Sequence, residues 1–139
     1  MSAAEDCIFC RIVAGEVPCT KIIETNRVLS FLDISPVNRG HALVVPKRHA
    51  GTLLELNQEE LHGSIFIVQR VARAVVRATD ADGFNVLQNN NEVAGQEVPH
   101  VHFHVIPRFE GDGFDLGWRQ GSYEEGQMER LQGEIRQHL

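Results

Sequence analysis

The alternation of apolar and polar residues divides the chain into short strands and one long helix. Short runs of β-branched and aromatic residues predict strands over residues 21–24, 28–33, 41–46 and 84–89. Apolar side chains recur at helical spacing between residues 57 and 79, at Leu61, Ile65, Val68, Ala72, Val75 and Val76. Asn57 followed by Glu60 is typical of a capping box, which places the start of this helix.

Two shorter helices are predicted outside this central set. Residues 7–14 favour a short helix ended by Gly15, and a final amphipathic helix is marked by Met128, Leu131 and Ile135. Short connections between the strands favour antiparallel pairing. The predicted class is therefore α+β, with an antiparallel sheet of about five strands, one long helix and a shorter C-terminal helix.

The stretch from residue 99 to residue 107 carries a histidine at every second position. Its histidines are His100, His102 and His104, and they alternate with Val101, Phe103 and Val105. In a β-strand the histidines share one face, about 6.5–7 Å apart, and the apolar residues share the other. Such a row suits metal binding, or nucleophilic attack on phosphorus with anion recognition. An edge strand with solvated histidines is the plainer alternative.

Composition narrows the class of protein. The chain has 139 residues, 42% of them hydrophobic and 23% charged, which indicates a single globular domain over 1–139. A formal net charge of −6 argues against a non-specific nucleic-acid binder. No apolar run approaches the roughly 20 residues that span a bilayer, and the N-terminus lacks a signal-peptide pattern. We therefore expect a cytoplasmic protein whose three cysteines are not structural disulfides.

Cys7-Ile8-Phe9-Cys10 is a C-x-x-C motif with three interpretations. It can be a redox dithiol, half of a metal site, or two unrelated buried cysteines. A metal half-site is favoured over a redox motif because no strand precedes Cys7. Cys19 has no partner at ligand spacing and is expected to be a small buried residue. Taken alone, His49 in a loop and His62 on the long helix are expected to be surface residues.

These segments together resemble the histidine-triad (HIT) superfamily. His100-Val101-His102-Phe103-His104-Val105-Ile106 is similar to its signature of alternating histidines and apolar residues. Further matching segments, in the family's order, are Phe31-Leu32-Asp33-Ile34-Ser35-Pro36, Gly40-His41, Val44-Val45-Pro46-Lys47, His49, Asn89 and Gly95-Gln96. The C-x-x-C motif resembles the zinc-carrying, Hint-like prokaryotic branch. The resemblance covers a core of residues 7–108 and leaves 109–139 as a variable C-terminal segment.

The resemblance implies an enzyme acting on purine nucleotides. Members are hydrolases or nucleotidyl transferases that cleave nucleoside phosphoramidates or dinucleoside polyphosphates at the α-phosphate through a covalent nucleotidyl-histidine. By position, His102 would be the nucleophile, His104 would contact the phosphate, and His41 would carry protons beside them. The nucleotide would be held at the phosphate by Asn89, Gly95 and Gln96, at the ribose by Asp33, and at the base by Ile8, Phe31 and Ile34.

The resemblance also implies a structural zinc ion and a homodimer. Cys7, Cys10, His49 and His100 would form a closed Cys₂His₂ zinc site, which leaves His102 free for chemistry. The dimer would join two sheets, with the C-terminal segment near the partner's site. One departure is Glu97, at a position where many members carry Ser or Thr. A carboxylate near a phosphate is electrostatically unfavourable unless it points away or is protonated, so Glu97 bears on the substrate preference.

Two other functions are compatible with the same residues. In the first, the three histidines of residues 100–104 hold a catalytic metal with an open position. Ligands at alternate positions of one straight strand span roughly 13 Å, which bonds of about 2 Å to one ion do not readily bridge. In the second, the protein is a non-catalytic purine-nucleotide-binding module, which a turnover assay distinguishes from an enzyme.

Overall fold

The structure, a computed structural model, describes residues 5–139. Its strands are β1 (Lys21–Glu24), β2 (Val28–Leu32), β3 (Ala42–Pro46), β4 (Gly83–Gln88) and β5 (Phe103–Arg108). Its helices are α1 (Ile8–Val13), α2 (Gln58–Thr79) and α3 (Gln127–Gln137), with two short 3₁₀ turns at Leu53–Glu55 and Glu92–Ala94. The strands form one antiparallel sheet in the order β1-β2-β3-β5-β4, which confirms the predicted α+β class.

Helix α2 begins at the predicted capping box. The Asn57 side chain accepts a hydrogen bond from the Glu60 amide at 2.9 Å, and the Glu60 carboxylate accepts one from the Asn57 amide at 3.0 Å. These two bonds satisfy amides that the first turn of a helix leaves unpaired. The helix then runs for 22 residues across β2, β3, β4 and β5.

The buried face of α2 differs from the predicted apolar stripe. Ile65 is 53% exposed and Val76 is half-buried, whereas polar Glu60 and Thr79 are buried. Both polar residues have partners, since Glu60 accepts from Arg48 at 2.8 Å and the Thr79 hydroxyl donates to a carbonyl of the preceding turn. A polar residue with a local partner tolerates burial, so the hydrophobic pattern alone placed the stripe too far round the helix.

The sheet separates two apolar clusters. On one face, α2 covers the first cluster, whose sheet residues include Val28, Val44, Phe103 and Val105. On the other face, Phe9 of α1 packs with Leu29, Phe31, Leu43 and Val45. Because side chains alternate along a strand, His104 points to the same side of β5 as this second cluster. The alternation therefore separates the apolar residues of β5 from its histidine.

Strand β5 begins at Phe103, so the predicted strand over residues 99–107 was wrong in its first half. The last pair between β3 and β5 is Val44 with Phe103. Pro46, which would pair further along, has no amide hydrogen, and its carbonyl oxygen lies 2.8 Å from Nε2 of His100. The Val101 amide donates instead to the carbonyl of Ala50 at 2.8 Å. His100 and His102 therefore lie on irregular backbone that precedes β5.

The C-terminal segment ends in the predicted helix α3. None of its residues is buried, and Met128 and Ile135 are each 60% exposed. Trp118, earlier in the same segment, is 85% exposed. Within residues 5–139, no helix combines the length and apolar character needed to cross a membrane.

Candidate active site

A cavity of about 720 Å³ opens on the sheet face opposite α2. This volume lies within the range of pockets that bind small ligands. Nine of the predicted site residues line it: Ile8, Phe31, Asp33, Ile34, His41, Asn89, Gly95, His102 and His104. They come from α1, β2, the start of β3, the loop after β4 and β5. The structure thus brings together residues that are distant in sequence.

His102 is held in one tautomer at the wall of this cavity. Its Nδ1 lies 2.7 Å from the carbonyl oxygen of His100, which can only accept a hydrogen bond. The proton of the neutral ring is therefore on Nδ1, and Nε2 keeps its lone pair. Burial lowers the pKa of His102 below its ordinary value of 6.5, which favours the neutral form. Phe9 packs edge-on against the ring, with 5.0 Å between centroids.

A chain of hydrogen bonds sets the tautomers of His41 and His104. The Val37 amide donates to Nδ1 of His41 at 3.0 Å, so the neutral His41 ring carries its proton on Nε2. That Nε2 lies 3.0 Å from Nδ1 of His104 and donates to it. His104 consequently carries its own proton on Nε2 and can donate it to a ligand. Burial lowers the pKa of His104 to about 4 and also lowers that of His41.

The rings of His102 and His104 lie 4.9 Å apart, centroid to centroid. One presents a lone pair on Nε2, and the other carries a hydrogen on Nε2. Neutral imidazoles of this kind can supply a nucleophile and a hydrogen-bond donor to the same phosphate. The arrangement also places Asp33 Oδ2 within 3.6 Å of His41 Nε2.

The loop before the histidine stretch is fixed by its own side chains. Gly95 has a φ of +93°, a conformation that favours glycine, and its carbonyl accepts from the Asn89 side chain at 3.3 Å. Gln96, predicted to hold the phosphate, is not among the lining residues. Its side chain donates to the Gly51 carbonyl at 2.7 Å and accepts from the Asn91 amide at 2.8 Å. Gln96 thus anchors the loop that carries Gly95.

The apolar wall of the cavity is larger than the sequence predicted. Besides Ile8, Phe31 and Ile34, it contains Phe9, Ile12, Val17, Cys19, Leu43 and Val98. Cys19 is half-buried at this wall, so the expectation of a plain buried residue was incomplete. Only the pairing of β2 with β3 and the docking of α1 bring these residues together, and no local sequence pattern marks them.

Four predicted metal ligands form a compact cluster behind the cavity. Ligand atoms of Cys7, Cys10, His49 and His100 all lie within 4.8 Å of one another. His100 Nδ1 is 3.3 Å from Cys7 Sγ and 3.2 Å from His49 Nδ1, and Cys10 Sγ is 3.3 Å from His49 Nδ1. His49 is half-buried here, contrary to what its loop position alone suggested.

The chemistry of this cluster fits a bound cation. His100 Nε2 donates to the Pro46 carbonyl, which leaves the Nδ1 lone pair directed at the sulfurs. Burial, reinforced by Cys7, raises the pKa of the Cys10 thiol to about 11, and a coordinated metal ion would reverse that shift. Cys₂His₂ is a common ligand set of structural zinc sites. The cluster can therefore hold a metal ion with four protein ligands.

The row of three histidines is not arranged as one metal site. His100 belongs to the cysteine cluster, whereas His104 lies with Asp33 and His41 in a second group whose ligand atoms are within 4.8 Å of one another. The hydrogen bond between His41 and His104 accounts for the closeness of that group without an ion. The sequence-based alternative of one catalytic metal on all three histidines receives no support from this geometry.

Comparisons with known proteins match this chain to an established family. The profile of the HIT domain matches residues 14–111. Adenosine 5'-monophosphoramidase of Schizosaccharomyces pombe is 47% identical over 113 residues, which cover 81% of this chain and 82% of that protein.

Solved structures show the same fold. The crystal structure of a HIT family member from Bacillus subtilis superposes with a TM-score of 0.91 at 40% identity, covering 96% of this chain and 97% of that one. That of a Zn-bound histidine triad family protein from Mycobacterium smegmatis gives a TM-score of 0.76 at 37% identity, covering 97% and 96%.

Proposed function

Since the chain belongs to the HIT domain family, we propose that it is a nucleotide hydrolase that cleaves at the α-phosphate. The proposed substrates are purine nucleoside phosphoramidates or dinucleoside polyphosphates. The observation that carries this proposal is the tautomer of His102. Its Nδ1 donates a hydrogen bond to the His100 carbonyl, so Nε2 keeps a free lone pair. The name of the Schizosaccharomyces pombe relative, a monophosphoramidase, supports the substrate class.

The proposed reaction has two displacements at phosphorus. In the first, His102 Nε2 forms a bond to the α-phosphorus as the bond to the leaving group breaks, and a leaving amine takes up a proton from solvent. In the second, water attacks the nucleotidyl-histidine, the Nε2–phosphorus bond breaks, and the proton that water loses returns to solvent. One water molecule is consumed, and the nucleoside monophosphate is released. An imidazole suits both steps because it is a nucleophile and then a good leaving group.

Two further groups are proposed to stabilise the reacting phosphate. His104, with its hydrogen on Nε2, would donate to a phosphoryl oxygen as negative charge develops there. His41 would hold this tautomer through its hydrogen bond to His104 Nδ1 and could pass a proton along it. Asn89 and Gly95 also line the cavity and would contact the phosphate.

The nucleoside is proposed to occupy the apolar part of the cavity. Asp33 lines the cavity between the histidines and the wall, and its Oδ1 already accepts from the Ser35 amide at 2.8 Å. Its other oxygen, Oδ2, lies 3.6 Å from His41 Nε2 and would also accept from a ribose hydroxyl. The base would lie against Ile8, Phe31 and Ile34, of which Ile34 is 97% exposed and so lies at the mouth.

We propose that the ion of the four-ligand cluster is zinc. It would tie α1, through Cys7 and Cys10, to the backbone that precedes the nucleophile. Bound zinc supplies structural stability there, because its binding free energy is coupled to folding. The free thiols that such a site requires are those of a reducing compartment, which supports a cytoplasmic location.

We also propose a two-fold homodimer that forms through the edge strand β4. This strand is at the end of the sheet, and an unpaired edge exposes amides and carbonyls that can pair with another chain. Beside it lies an exposed apolar patch, in which Ile65 is 53%, Phe84 is 50% and Val86 is 40% exposed. Contiguous apolar surface of this kind is typical of an association site.

Replacement of His102 by Asn tests the proposed function. Turnover of an adenosine phosphoramidate should fall by several orders of magnitude, while binding of adenosine monophosphate persists because Asp33 and the apolar wall are unchanged. His62→Asn, the same change at an exposed histidine of α2, is the matched control and should keep full activity. Near-normal hydrolysis by His102→Asn would contradict the proposal. Binding without turnover by the unmodified protein would instead favour a non-catalytic nucleotide-binding module.

A further inference from the structure

The described lining of the cavity carries two carboxylates and three histidines. Among its described lining residues, Asp33 and Glu97 are acidic, and none is lysine or arginine. His41 and His104 are neutral in this arrangement because Nδ1 of each accepts a hydrogen bond, from the Val37 amide and from His41 respectively, and His102 acts as a neutral ring in the proposed reaction. A nucleotide therefore meets hydrogen-bond donors here but no formal positive charge. Each additional negative charge on the substrate is unfavourable in such surroundings.

Glu97 brings a carboxylate to the loop beside the proposed nucleophile. It follows Gly95 and the anchored Gln96 in the loop that we assign to the phosphate, and its exposed side chain lines the cavity. His102 lines the same cavity as Glu97. No hydrogen bond or ion pair joins the Glu97 carboxylate to any other residue within 5–139. The carboxylate is thus unneutralised and near the proposed nucleophile.

We propose that Glu97 is a specificity-determining residue that favours leaving groups carrying a positive charge and disfavours those carrying a negative one. This inference rests on the proposed function and makes it narrower. Preferred substrates are nucleoside phosphoramidates of amines that bear a second, cationic group. Polyphosphate leaving groups, which add several negative charges, are the disfavoured class.

The expected size of the effect follows from Coulomb's law at a partly solvated site. Two unit charges several ångströms apart, at an effective dielectric constant between that of a protein surface and that of water, change a rate roughly three- to tenfold. The effect is largest at low ionic strength, because salt screens an exposed carboxylate. The nucleoside is kept constant in the test, so that only the charge of the leaving group varies.

Three adenosine 5'-phosphoramidates with leaving amines of equal length test this inference. One amine ends in a methyl group, one in an ammonium group and one in a carboxylate. For the unmodified protein, kcat/KM should fall from ammonium to methyl to carboxylate, by roughly three- to tenfold at each step at low salt. In Glu97→Gln the difference in kcat/KM between successive substrates should shrink to less than about twofold, because glutamine keeps the shape of the side chain and removes its charge. Glu92→Gln, an exposed glutamate of the same loop that does not line the cavity, should keep the steps of the unmodified protein.

The possible failures are distinguishable. Equal kcat/KM values for the three substrates in the unmodified protein overturn the selectivity while leaving the hydrolase intact. An equal loss of kcat/KM on all three substrates in Glu97→Gln assigns the residue a general part in turnover. That result also overturns the proposed selectivity. Absence of turnover with every substrate refutes the proposed function itself, and this inference with it. A thermal unfolding temperature of Glu97→Gln equal to that of the unmodified protein establishes that the variant is folded.

Discussion

At the residue scale, the tautomer of each cavity imidazole follows from the backbone group that it contacts. A carbonyl faces Nδ1 of His102 at 2.7 Å, whereas an amide faces Nδ1 of His41 at 3.0 Å. The first contact exposes a lone pair and the second directs a hydrogen toward His104. Identical side chains thereby present different groups to the cavity, which suits the proposed roles of nucleophile, donor and positioning group.

The pH dependence of kcat/KM should show the lowered pKa of His102. The reactive form is the neutral ring, and burial lowers its pKa below 6.5, so activity should persist at pH 6.5 and decline only at lower pH. An acidic limb centred above pH 6.5 would contradict this assignment. Because His104, with its pKa of about 4, binds fewer protons when folded, stability also falls as the pH drops from 6.5 toward 4. The rates are therefore measured well below the unfolding temperature at each pH.

Replacing His104 by Ala should lower kcat/KM by about 10²–10³-fold, as expected for loss of one donor to a developing oxyanion. The loss should be smaller than that of His102→Asn, because the nucleophile remains. Steady-state kinetics on one adenosine phosphoramidate gives both values, with His62→Ala as the control. A loss as large as that of His102→Asn would show that His104 is not merely a donor.

The sequence alone did not assign these roles. The alternation of histidines indicated phosphorus or metal chemistry. Only the resemblance to a family predicted His102 as the nucleophile. The tautomers depend on the His100 carbonyl and the Val37 amide, whose positions are set by the fold. Phe9, which packs against His102, had no signal beyond its place between two cysteines.

At the element scale, hydrophobic periodicity identified the helices and strands better than their boundaries. The capping box at Asn57 and the C-terminal helix were predicted correctly. The start of β5 was not, because the interruption comes from Pro46 on the neighbouring strand and not from residues 99–102 themselves. The buried face of α2 differs from the predicted stripe because the polar residues Glu60 and Thr79 are buried with hydrogen-bond partners, which a hydrophobic pattern does not register.

The cluster of Cys7, Cys10, His49 and His100 connects α1 with the backbone before β5, so loss of its proposed metal ion should affect both. Cys10→Ser should abolish binding of about one zinc ion per chain and lower the thermal unfolding temperature by several degrees or more. Elemental analysis and thermal unfolding measure the two effects. Cys19→Ser, a change of a half-buried cysteine outside the cluster, should retain the metal. Metal-free protein from a chelator-free purification, or a Cys10→Ser variant that keeps its metal, would refute the assignment.

At the scale of the whole molecule, the proposed dimer accounts for the exposed edge of the sheet. Phe84→Lys places a charge in the apolar patch on β4 and should shift a micromolar sample from dimer to monomer in sedimentation equilibrium. Ile22→Lys, at a residue that is 38% exposed on β1 at the opposite end of the sheet, should leave the dimer intact. A monomeric unmodified protein under the same conditions would contradict the proposed assembly.

The central claim is that His102 becomes covalently attached to the nucleotide during turnover. The protein is mixed with excess adenosine phosphoramidate and quenched within the steady state in alkaline denaturant, which preserves phosphorus–nitrogen bonds. The intact protein and its proteolytic peptides are then measured by mass spectrometry. We predict an adenylyl adduct on the peptide that contains His102, absent from His102→Asn. An adduct on another residue, or steady turnover with no adduct at all, would contradict the account.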